Sequence, residues 1–116
     1  MGNIIQGKSK AFAVRIIKFY KYLCDEKKEF VLSKQILRSG TSIGANVRES
    51  KNAQSRADFI SKMNIALKEA DETAYWFELL QESEIVNEEQ IKNLYEENIE
   101  IIKILSSIVK TTKETK

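Results

Sequence analysis

With 116 residues, no proline, four glycines and a charged fraction of 31%, the chain is long enough for one domain and poor in the turn-formers that sheets need. It has no histidine and a single cysteine, Cys24, which excludes an intrachain disulfide, a thiolate zinc site, Ser-His or Cys-His nucleophiles and the Glu-x-x-His motif of metal-binding bundles. The net charge of +2 conceals an asymmetry, because residues 1–68 carry 14 Lys or Arg against 5 Asp or Glu, and residues 69–116 carry 5 against 12.

A basic half of this kind points to a polyanion such as nucleic acid, or to neutralisation across helix and subunit contacts. No run approaches the length of a membrane span, and the N-terminal residues lack the layout of a secretory signal. Met1-Gly2 suggests myristoylation, but position six is Gln6 where Ser or Thr is expected. A cytoplasmic protein with no membrane partner is expected.

Residues 1–8 read as a flexible arm. Gly2 to Ser9 matches the phosphate-loop pattern G-x-x-x-x-G-K-S letter for letter. That loop needs a strand before it, and only Met1 precedes, so the match is read as coincidence. From Ser9 to Asp25 the spacing of Phe12, Ile16, Phe19, Tyr20 and Leu23 predicts an amphipathic helix, with Lys10, Arg15, Lys18 and Lys21 on its remaining surface. Cys24 lies on this helix as a small buried hydrophobe. Asp25 to Glu29 forms a charged connection.

A second helix is expected over 30–53. Leu32, Ile36, Ile43 and Val47 give its apolar face, and beside them runs a polar stripe of Gln35, Ser39, Ser42, Asn46 and Glu49. Gly40 and Gly44 form a notch where another backbone can approach. Two glycines cost roughly 1 kcal/mol each in an exposed helix, which close packing would offset. The alternative, a break at Gly40 with a capping box at Asn46 and Glu49, is set against an apolar face that continues across it. The stripe is read as structural, its polar groups fixing helix register as a buried asparagine does in coiled coils. A ligand pocket is the other reading.

Ser55 and Asp58 open a third helix as a capping pair. Its seam is Ile60, Met63, Leu67, Ala70, Ala74 and Phe77. Tyr75, Trp76, Leu79 and Leu80 exceed what one buried face needs, which points to an oligomer interface centred on Tyr75 and Trp76. Asn87 and Gln90 form a capping box, with Val86 stapled to Ile91, and start a fourth helix that runs to Lys110. Residues 111–116 are expected to fray.

Short connections make sequential helices antiparallel. The expected fold is all-α, one domain over 1–116, an antiparallel up-down-up-down four-helix bundle. Glu69, Asp71, Glu72 and Glu78 could hold a hard cation, but they lack ligand spacing and have Lys62 and Lys68 nearby, so they read as a solvated face. No catalytic residue, cofactor or metal is expected. Lys34, Arg38 and Arg48 lie opposite the apolar face with small residues Thr41 and Ala45 between them, and Lys51 and Arg56 extend the cluster. This set is the candidate nucleic-acid-binding face, suited to phosphates rather than base edges.

The run Phe30-Val-Leu-Ser-Lys-Gln-Ile-Leu-Arg-Ser-Gly-Thr-Ser-Ile-Gly-Ala-Asn-Val-Arg-Glu49, with Ala57-Asp-Phe-Ile60 and the segment from Ala66 to Leu80, resembles the four-helix-bundle proteins of the 23S ribosomal RNA intervening-sequence family. The likeness covers essentially the whole chain. That family looks related to the accessory variability proteins of diversity-generating retroelements, which form pentameric rings and bind nucleic acid and a reverse transcriptase. The resemblance implies a homo-oligomer, a pentamer, with RNA or DNA and possible reverse transcriptase partners. Ser50 stands where many members have Gly or Ala. The acidic second half departs from a strongly basic ring surface. The alternative function is an oligomeric scaffold or protein-interaction module without nucleic acid.

Overall fold

A computed structural model describes residues 2–114 and contains four helices: α1 (Gly2–Asp25), α2 (Leu32–Ser50), α3 (Arg56–Glu82) and α4 (Glu88–Glu114). They form an antiparallel up-down-up-down bundle with principal extents of 49 × 20 × 20 Å. Each helix packs on its sequence neighbour, and α4 closes on α1. The diagonal pairs keep their backbones apart, and side chains fill the space between them. Phe19 of α1 meets Phe77 of α3 edge to face, with centroids 6.0 Å apart.

The expectation of a flexible arm is corrected for residues 2–8, which are the first turns of α1. Ile5 is fully buried and continues the line of Phe12, Ile16, Phe19 and Leu23. Ser9 interrupts that line, which hid the helix start. The phosphate-loop match accordingly lies in a helix and not in a loop. At the other end α4 continues to Glu114, beyond the fraying expected from residue 111, and Thr112 donates its hydroxyl to the Ile108 carbonyl at 2.7 Å. Residues 1, 115 and 116, assigned to the arm and tail, lie outside the described residues.

The helix starts have local causes. Ser55 accepts from the Asp58 N–H at 3.0 Å, and the Asp58 carboxylate accepts from the Gln54 N–H at 3.1 Å. Asn87 and Gln90 satisfy each other's backbone N–H at 2.8 and 2.9 Å, while Val86 and Ile91 are buried together. Helix α2 begins at Leu32, two residues later than expected, and is capped from outside. The Glu29 carboxylate accepts N–H groups from Val31, Leu32 and Ser33 at 3.2, 3.1 and 2.6 Å.

Helix α2 is unbroken through both glycines, neither of which has positive φ. The notch faces α1. A Cβ at Gly40 would come within 2.8 Å of Ile16, and one at Gly44 within 3.2 Å of the Ser9 carbonyl oxygen. Small residues therefore bring α1 and α2 into close contact, and the lost propensity is offset by packing. Fully buried Phe12, Ile16, Ile36, Ile43, Met63, Phe77, Leu80, Ile101 and Leu105 fill the interior, each contributing about 1.5–3 kcal/mol.

Candidate nucleic-acid interface and self-contact surface

The polar stripe of α2 divides when it is placed in the bundle. Ser39 is buried, and its hydroxyl is hydrogen-bonded to that of Thr73 on α3 at 2.8 Å. Glu49 takes an ion pair from Lys62 at 2.8 Å, which raises the Lys62 pKa, chiefly through that hydrogen bond. Ser42 and Asn46 turn back on their own helix, donating to the carbonyls of Arg38 and Ser42. Among the described residues neither bonds to a neighbouring helix, since each hydrogen-bonds a carbonyl one turn back on α2. Cross-helix register is also set by Asn98, a fully buried residue whose side-chain N–H donates to the Ala70 carbonyl at 2.9 Å.

The five predicted cations part company as well. Arg38 is drawn onto α3, where the carboxylates of Glu69 and Glu72 hold it. It is therefore neutralised by a neighbour 31 and 34 residues away, a pairing that no local pattern announces. Lys34, Arg48, Lys51 and Arg56 are exposed. Lys34 lies near the start of α2, at the opposite end of the bundle from the other three. The structure thus brings Arg48, Lys51 and Arg56 together and leaves Lys34 apart.

Ion pairs sort the remaining cations by direction. Lys8 meets Glu100 and Arg15 meets Glu97 along the α1–α4 seam, both at 2.7 Å. The first pair is exposed and the second half-buried, and solvent-screened pairs of this kind are worth about 0–1 kcal/mol each. Their main effect is on surface charge. Among the described residues Lys10, Lys34, Arg48 and Lys51 make no ion pair.

Antiparallel packing then redistributes the charge. Residues 69–101 carry eleven carboxylates and one cation, Lys92, and they fold into a single hairpin end: the last half of α3, its connection and the first half of α4. The opposite end gathers Arg48, Lys51 and Arg56 with Lys103, Lys110 and Lys113 from α4. The α4 lysines were hidden inside the acidic half of the sequence. Their sign differs from their surroundings in the chain but matches their surroundings in space.

Three of the four carboxylates singled out for a cation are engaged elsewhere, and the fourth, Asp71, is exposed. Glu69 and Glu72 hold Arg38, and Glu78 accepts from the Tyr95 hydroxyl at 2.7 Å, the largest cause of that phenol's raised pKa. Among the described residues no group of three or more His, Cys, Asp or Glu is arranged to hold a metal. No helix among them is long and apolar enough to cross a membrane.

Trp76 is half-buried at the core edge and donates its indole N–H to Glu72 at 2.9 Å. Tyr75 stands 53% exposed, its ring edge-on to Trp76 at 5.2 Å. Of the two proposed interface aromatics, Tyr75 is the open one. On the other side of the molecule a groove of about 250 Å³ runs between α1 and α2, lined by Gln6, Lys10, Ala13, Thr41, Gly44, Ala45 and Arg48. Sequence reasoning had Lys10 only as helix surface and did not see the groove, although the Gly40–Gly44 notch is what draws its walls together.

A family model described as 23S rRNA-intervening sequence protein matches residues 2–107. A crystal structure of a protein of unknown function from the S23 ribosomal protein family of Bacteroides thetaiotaomicron VPI-5482 is 60% identical, with a TM-score of 0.92, covering 94% of this chain and 97% of that one. No curated protein matches the chain.

Proposed function

Because the chain belongs to the 23S rRNA-intervening sequence protein family, we propose that it is a non-enzymatic, nucleic-acid-binding accessory protein of the cytoplasm, assembled as a homo-oligomer. A pentamer is the size implied by the resemblance set out above. The observation that carries the binding half is the segregation of charge, with the basic end of the bundle presenting Arg48, Lys51, Lys103, Lys110 and Lys113 and the acidic hairpin held at the other end. Such a surface attracts a phosphate backbone and releases counterions from it, and it is sequence-independent. The absence of histidine from the chain leaves the usual general base missing, which supports the non-enzymatic reading.

Titrating labelled single-stranded RNA at low and moderate salt tests this. Binding should appear at low salt and weaken steeply as salt rises; no binding at low salt would sink the proposal. A scaffold without nucleic acid is the second reading. It is favoured by the use of Lys8, Arg15, Arg38 and Lys62 in ion pairs. Light scattering across a salt series separates the two. A scaffold held by charge should dissociate as salt rises, whereas the accessory protein should remain assembled while its RNA binding is lost.

A further inference from the structure

We propose that the α1–α2 groove receives Tyr75 of a second copy, so that copies join through two unlike surfaces, anchor into groove. This rests on the homo-oligomeric half of the reading above, and Arg48 is common to the groove and to the basic end.

The groove suits an apolar guest. Ala13, Gly44 and Ala45 are its small residues. At Gly44 a Cβ would press on the Ser9 carbonyl at 3.2 Å, so glycine there leaves the two walls close and the floor flat. The Thr41 hydroxyl is spent on its own helix, donating to the Leu37 carbonyl at 2.7 Å. Lys10 and Arg48, both exposed, also line it and make no ion pair among the described residues. An interface pocket has this plan, small apolar residues in company with charged ones.

Tyr75 has the complementary plan. Its exposed ring stands on the outer surface of α3 with exposed Asp71 one turn before it and exposed Glu82 two turns after it. Glu72, by contrast, is already engaged by Arg38 and Trp76. An aromatic ring with two exposed carboxylates against one exposed cation, Lys68 two turns before it, thus meets a groove of small residues lined by two cations, which is favourable in packing and in net charge. Phe30 is the other exposed aromatic, at 53%, but it sits between Lys28 and Lys34 and would set cations against the groove's cations.

The groove and the anchor occupy different sides of one chain, so the contact is heterologous. Each copy offers one of each, and repetition closes a ring or runs on as a filament. This arrangement has a signature that self-complementary faces lack. Tyr75→Glu leaves the groove intact, and Ala45→Glu, at an exposed position, places a carboxylate in the groove opposite Asp71 and Glu82.

Multi-angle light scattering on the wild type, on each variant and on their mixture tests the proposal, with circular dichroism confirming helicity. The wild type should exceed a dimer, and each variant alone should be monomeric. The equimolar mixture should form one-to-one dimers and stop there, since only the Tyr75→Glu groove and the Ala45→Glu anchor can join. Phe30→Glu should assemble like the wild type. An assembled wild type with either variant still assembled, or a mixture that stays monomeric, would overturn the anchor-and-groove pairing alone. A monomeric wild type would overturn it together with the oligomeric reading.

Discussion

A methyl group added at Gly40 would lie 2.8 to 3.0 Å from three carbons of Ile16, whereas one added at Gly7 would meet nothing within 4 Å. Both residues are helical, so the propensity gain is similar and packing decides the sign. Gly40→Ala should destabilise by about 1–2 kcal/mol in chemical denaturation, the overpacking cost less the helix gain. Gly7→Ala should stabilise by about 0.5–1 kcal/mol. A neutral Gly40→Ala would mean that the notch is slack. The buried Ser39–Thr73 pair makes a second test at this scale. Thr73→Val strands the Ser39 hydroxyl and should cost about 1–3 kcal/mol, most of it recovered when Ser39→Ala is added. If the double variant is as unstable as Thr73→Val, the hydrogen bond is not the cause.

Among the elements, α3 and α4 show their starts in the sequence because capping acts over three residues. Ser55 with Asp58 and Asn87 with Gln90 read directly. The beginnings of α1 and α2 did not. At α1 the hydrophobic spacing skips Ser9, a buried polar residue whose backbone carbonyl faces Gly44, and the gap made Ile5 look detached. At α2 the cap comes from Glu29, a residue that seemed only part of a charged connection. Glu29→Ala should cost about 1 kcal/mol, with Glu29→Gln milder because an amide oxygen still accepts N–H groups. Equal losses in the two variants would contradict the cap and point to another role for the side chain. The same locality explains the candidate site. Arg48 and Lys51 could be read as an outward face, while the capture of Arg38 by α3 depends on which helix lies beside it.

At the scale of the whole molecule, summing charge by sequence half obscured the feature that matters. An antiparallel bundle folds each half back along the long axis, so the lysines of the last turns of α4 join the end of α2 and leave the acidic hairpin behind. The proposed binding surface is this basic end, and its proposed partner is a polyanion. The most direct measurement is the salt dependence of binding to labelled single-stranded RNA for three proteins: the wild type, Lys51→Gln/Lys110→Gln at the basic end, and Lys27→Gln/Lys28→Gln at the other. Each phosphate contact removed should lower the slope of log affinity against log salt by about 0.7. The basic-end pair should therefore bind more weakly with a slope reduced by about 1.4, and the opposite pair should track the wild type. Equal losses in the two double variants, or a wild type that does not bind at low salt, would contradict the account.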